Sequence, residues 1–256
     1  MSIDILWSLV LLALGCEYID STLGMGYGTT LTPILLLMGY EPTQIVPSVL
    51  LSEFLTGILA GISHHRCGNV DLKPGSRPLK VVLVLSACSV VGAVAAILIA
   101  VNVPAWMVKT YIGLLVLAMG LGILLTMGKT FAFSWKKVVG LGLLAAFNKG
   151  ISGGGYGPVV TGGQIMAGVD SKGAIGITSL AEGLVCIVGV LTYVLLGIST
   201  NGAVDWGLAP SLILGAVLSV PLAAITVKRI PVQKLRWAIG INVAVLGVFS
   251  LIRLFL

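Results

Sequence analysis

The stretch TLGMGYGTTLTP at residues 22–33 returns in altered form as SGGGYGPVVTGG at residues 152–163. A shift of 129 positions superimposes Gly24 on Gly153, Gly26 on Gly155, Tyr27 on Tyr156, Gly28 on Gly157 and Thr32 on Thr161. The register runs on without a gap and brings Gly39 onto Gly168, Leu51 onto Leu180 and Glu53 onto Glu182. Glycine abundance alone does not account for such a match. The chain therefore reads as an internal duplication, residues 1–128 followed by residues 129–256 of one membrane domain.

The sequence around these stretches is 57% hydrophobic and 9% charged, with a mean hydropathy of +1.11. An ordinary soluble domain carries roughly a quarter charged residues. Apolar runs near the ~20 residues of a spanning helix fill most of the length, which predicts an integral membrane protein. These runs lack the in/out alternation of a barrel strand, and lipid-facing backbone must be bonded internally, so the fold class is all-α. No basic residue precedes Arg66, so the first segment lacks the positive start of a secretory signal and reads as a retained membrane segment. Cys16, Cys67, Cys88 and Cys186 form no CxxC pair and read as packing residues.

A net charge of +6 in a soluble chain would suggest nucleic acid, but here the distribution argues otherwise. Of 15 Lys and Arg residues, 11 fall in three connections: Arg66 to Lys80, Lys129 to Lys137, and Lys228 to Arg236. Short cytoplasmic loops collect such residues, so these three should face the cytoplasm and the N-terminus should lie outside the cell membrane. All five tryptophans fall near segment ends, as in interfacial aromatic belts. Helices are expected at about 4–21, 29–39, 44–63, 80–100, 106–127, 137–150, 157–168, 173–197, 207–227 and 234–255, some spanning and some half-spanning. Pro221 should kink its helix.

By this count the third element of the first half ends in the cytoplasm at Arg66, and its counterpart ends outside near Asn201. The two five-element repeats are thus inverted, an arrangement found in transporters with the substrate site at the repeat interface. Short, glycine-interrupted segments at matching positions mark such a site. The glycine breaks are expected near the midplane, buried in protein or lining an aqueous cavity. Glycine permits positive φ and close approach to the main chain. Second half-helices starting at Thr29 and Pro158 would aim unpaired N–H groups and positive dipole ends at one point, an anion site. Candidate substrate-binding residues are Gly24, Gly26, Tyr27, Gly28 and Thr29 on the first tip. On the second they are Lys149, Ser152, Gly153, Gly154, Gly155, Tyr156, Gly157 and Thr161. Scattered Gly113, Gly120 and Gly140 read as close-packing positions instead.

With these residues in view, the chain resembles the sulfite exporter TauE/SafE family, also called TSUP, whose members carry a duplicated glycine-rich motif. GMGYGTTLTPILLLMG at 24–39 follows its pattern of glycines, proline, leucines and a further glycine. GGGYGPVVTGGQIMAG at 153–168 departs from it, with an early proline and Gly162 where Pro33 would repeat. The resemblance implies a cytoplasmic-membrane transporter of sulfite, sulfoacetate or other organosulfonates. Oxyanion acceptors would suit an environment of N–H, hydroxyl and lysine donors.

Ionisable groups at membrane depth are functional candidates by default. Glu53 and Glu182 are related by the repeat, and carboxylates at that depth can couple proton movement to transport or can hold the opposing tip's N–H groups. Asp20, with Glu17 before the first tip, aligns with Lys149 and is expected to pair with it across the interface. The HHxC run at His64, His65 and Cys67 supplies too few ligands for a metal site and reads as an ordinary loop, and Lys109 as a snorkelling residue. No catalytic residue, metal or cofactor is expected; a small anion and the bilayer are the partners, and a homo-oligomer is compatible with the sequence. An intramembrane hydrolase would need a histidine at depth, and both histidines sit beside a basic connection. The rival within transport is a proton-coupled cation or metal-ion carrier using Glu53 and Glu182; a channel is a further alternative.

Overall fold

The computed structural model describes residues 5–40, 42–100, 105–126, 129, 131–152, 156–196 and 205–252. Gly153, Gly154 and Gly155 lie outside the described residues, as do the side chains of Thr29, Lys109, Lys149 and Ser152. All regular structure among the described residues is helical: α1 (Trp7–Leu23), α2 (Tyr27–Leu37), α3 (Pro42–Arg66), α4 (Arg77–Ala100), α5 (Ala105–Leu125), α6 (Trp135–Ser152), α7 (Tyr156–Met166), α8 (Ser171–Leu196), α9 (Ala209–Arg229) and α10 (Val232–Ile252). These match the ten expected segments within a few residues. The short helices α2 and α7 begin at the tyrosines, two residues ahead of the expected Thr29 and Pro158, so the tyrosine N–H groups open each one. Tyr27–Leu37 and Tyr156–Met166 stand 129 residues apart at both ends.

Four described stretches are long and apolar enough to cross a membrane: Gln44–Arg66, Ser171–Leu191, Ala209–Arg229 and Val232–Phe249. The outer surface is apolar, with Leu11, Leu83, Leu125, Leu218, Leu222 and Phe249 all exposed. Such a surface suits lipid, not water. Trp7, Trp135, Trp206 and Trp237 are also exposed close to helix ends, where an indole can sit at the headgroups. The protein is a multi-pass membrane protein.

Two ends of the bundle can be told apart by their contacts. At the basic end the Arg236 guanidinium donates to the carbonyls of Thr126 and Lys129, satisfying the open C-terminal turn of α5. Arg77 lies over the Phe133 ring at 4.9 Å, Lys172 donates to the Lys228 carbonyl, and the Ser134 N–H donates to the Ala167 carbonyl. Eight helix ends meet there: the last turns of α3, α5, α7 and α9 and the first of α4, α6, α8 and α10. At the other end the Leu6 N–H donates to Ser211 Oγ, and Gln44 Nε2 to Asp205 Oδ2. The starts of α1, α3 and α9 are thereby gathered there. It follows that the α1–α2 hairpin opens toward the Asp205 end and the α6–α7 hairpin toward the basic end.

At about 1.5 Å per residue, the 17-residue α1 is roughly 25 Å long and the 11-residue α2 and α7 about 16 Å. None of the three covers a ~30 Å hydrocarbon core. The break between α1 and α2 is therefore inside the bundle, where Gly24, Met25 and Gly26 are buried. The long helices pack in pairs, α3 on α8, α5 on α10, α1 on α9 and α4 on α6. At the α3–α8 crossing Gly57 and Gly183 meet backbone to backbone; a Cβ on Gly57 would stand 2.6 Å from the Gly183 Cα. Gly113 and Gly120 are close-packing positions against α10, whereas Gly140 faces nothing within 4 Å and has no such role.

Candidate functional site

The first tip is built around two glycines that only glycine's freedom permits. Gly24 closes α1 at φ 75°, with its N–H donating to the Asp20 carbonyl, and Gly26 follows at φ 132°. An L side chain is strained at both angles. A broken helix leaves carbonyls without partners on one side of the break and N–H groups on the other. Each set is met by side chains. The Gly24 carbonyl accepts from Thr161 Oγ1 at 2.8 Å, the Ser21 carbonyl accepts from the His64 ring, and the Tyr27 N–H at the head of α2 donates to Asp20 Oδ1 at 3.1 Å.

Thr161 comes from α7, so the two tips touch. A Cβ on Gly157 would lie 2.9 Å from both the Gly24 carbonyl oxygen and the Met25 Cα, and that contact requires glycine. Thr161 Oγ1 is also 3.0 Å from Thr178 Oγ1, which accepts from Gln164 Nε2 at 2.8 Å. Among the expected residues, Gly24, Gly157 and Thr161 are brought together. The matched tyrosines are each 1% exposed, and their hydroxyls are held by different elements. Tyr27 bonds Ser52 Oγ on α3 at 2.9 Å. Ala181 occupies the position matching Ser52, and Tyr156 instead accepts from Ser89 on α4 at 3.4 Å.

Beside the first tip is a small cavity lined by Glu17, Asp20, Glu53, Thr56, Gly57, Ser179 and Glu182. Asp20, Glu53 and Glu182 thus line one cavity, and a fourth carboxylate, Glu17, joins them. Glu17 is 2% exposed and is held by Ser21 Oγ at 2.6 Å and Thr56 Oγ1 at 3.3 Å. Glu53 Oε1 lies against Gly28, where a Cβ would stand 3.0 Å away, and its Oε2 accepts from Cys186 Sγ at 3.3 Å. Glu53 therefore lies against the tip of its own half. The reason is geometric: α3 follows directly on α2 and packs along it. Cys186, read as packing alone, is a hydrogen-bond donor to a site carboxylate. Ser179 Oγ is buried with no partner among the described residues.

The largest departure from expectation is His64. It belongs to the last turn of α3, is 0% exposed, and bonds both the tip and the α3–α4 link, so it is no loop residue. Its adjacency to Arg66 in sequence is misleading because a helix turns successive side chains about 100° apart. The signal that would have found it is its spacing from Ala60 and Gly57 along one buried stripe.

The sulfite exporter TauE/SafE family model matches residues 9–250. The chain is also similar to the probable membrane transporter protein YtnM of Bacillus subtilis (strain 168), with 28% identity over 243 residues, covering 88% of this chain and 75% of that protein. No solved structure matches. An apolar helical bundle in which a glycine-broken helix meets α7 beside a polar cavity fits what these matches indicate, and the chain belongs to the sulfite exporter TauE/SafE family of membrane transporters.

Proposed function

We propose that this transporter moves small sulfur-containing anions, sulfite or an organosulfonate, across the cell membrane by alternating access, with protons carried on the cavity carboxylates. The observation that carries the reading is Asp20 Oδ1 on the Tyr27 N–H, at the head of a helix whose glycine break opens beside four carboxylates. A helix N-terminus is an anion-binding element, and here a side-chain carboxylate occupies it. An incoming oxyanion has to take that place. Protonating Asp20 weakens it as an acceptor and removes its repulsion of the newcomer, so proton and anion enter together. The sulfite of the family's name has the acceptor oxygens this requires.

The same reading takes residues 1–128 and 129–256 as inverted repeats, with the basic end in the cytoplasm and the N-terminus outside. Support comes from the 129-residue spacing of α2 and α7, from hairpins that open at opposite ends, and from packing in which α1 lies on α9 as α6 lies on α4. The remaining tip residues Gly26, Gly28, Thr29, Lys149, Ser152, Gly153, Gly154 and Gly155 are taken as the wall of the anion path.

Purified protein in liposomes should take up labelled sulfite saturably and faster with an imposed pH gradient. Asp20→Asn and Glu182→Gln should keep uptake but lose the gradient dependence. Folded protein that moves none of sulfite, sulfoacetate or taurine would sink the assignment. The four-carboxylate lining favours a second reading, a proton-coupled carrier of cations. Lys149→Ala separates the two, because an anion carrier loses affinity with that change and a cation carrier keeps or gains it.

A further inference from the structure

We infer that His64 and Asn69 form a latch that closes the carboxylate cavity toward the basic end of the bundle; the inference rests on the transport reading above. The hydrogen bonds define the latch atom by atom. The Ala224 carbonyl on α9 can only accept, so the Asn69 atom 2.8 Å from it is the amide nitrogen. That nitrogen is also 3.0 Å from His64 Nδ1, which must therefore be the ring's acceptor. The ring hydrogen is then on Nε2, 3.0 Å from the Ser21 carbonyl, which it caps at the broken end of α1. His64 is thus a neutral ring of one fixed tautomer, joining α1 to α9 through Asn69.

This layer stands directly behind the cavity. Ser21, whose carbonyl the ring holds, donates its own hydroxyl to Glu17 of the cavity wall. On the far side is the α3–α4 link, where the Asn69 N–H returns to the His64 carbonyl and Val70 is 6% exposed. From α8, Gly176 lets the layer close: a Cβ there would be 2.6 Å from Val70 Cγ1 and 3.2 Å from His64 Cβ. Elements α1, α3, α8 and α9 and the link all meet at this ring. A solute leaving the cavity toward the basic end has to part it.

The test uses Ser179→Cys as a reporter in the cavity, in a chain whose four native cysteines are replaced, reconstituted in liposomes and exposed to a membrane-impermeant thiol reagent from either face. A glutamine amide reaches the Nε2 position, so His64→Gln keeps a donor for the Ser21 carbonyl and loses the Nδ1 acceptor that holds Asn69. Asn69→Leu cuts the same link from the other side. Both should speed labelling from the basic face about tenfold, the order expected for loss of one or two neutral hydrogen bonds, and leave labelling from the opposite face unchanged. Unchanged labelling from the basic face overturns the latch. So does equal acceleration from both faces, which is general loosening, or failure of both variants to elute as folded protein, which makes the pair a folding element. No substrate is involved, so a failed sulfite assay and a failed latch are read separately.

Discussion

Thr161 is the residue on which the tip-to-tip contact turns. Its hydroxyl bonds both the Gly24 carbonyl and Thr178, in a site where it is 0% exposed. Leaving a buried carbonyl without its donor costs about 1–3 kcal/mol. Thr161→Val should therefore lower the thermal unfolding midpoint in detergent by that equivalent, while Thr161→Ser, which keeps the hydroxyl, should fall within a few tenths of wild type. Residue-level legibility was uneven for a reason visible in the register. The repeat singles out Glu53 because Glu182 matches it, but passes over Glu17, whose counterpart is Ala146, and His64, whose counterpart is Tyr193. Symmetry finds what the halves share, and the parts of the site peculiar to one half are hidden from it.

At the scale of elements, the ten helices were readable because apolar runs, glycine breaks and basic connections each leave a strong mark in sequence. What the elements press against was not readable, since glycines look alike whether they meet backbone or open space. Gly57→Ala should be destabilised by about 1–3 kcal/mol, because the added methyl meets the Gly183 backbone and the Ser179 carbonyl. Gly140→Ala, with nothing within 4 Å, should be neutral or gain up to about 1 kcal/mol of helix stability. Thermal unfolding of the two variants in the same detergent checks the contrast. A Gly57 variant as stable as wild type would mean that α3 and α8 can move apart freely, which the tight crossing denies.

At the scale of the whole molecule, the basic end predicts orientation. Ser76→Cys in the α3–α4 link and Gly207→Cys beside Asp205 lie at opposite ends. In intact cells, an impermeant thiol reagent applied to a chain lacking the native cysteines should label the Gly207 variant and spare the Ser76 variant until the cells are opened. The reverse pattern would turn the transporter over and place the His64 layer on the outer side. The packing of α1 on α9 and α6 on α4 bears on ancestry as well as on mechanism. Each half lends its opening helix to the other half's fourth, like two hands with exchanged fingers. On the inverted-repeat reading proposed above, a half-length forebear would have needed a second copy, inserted head to foot, to give its opening helix a partner.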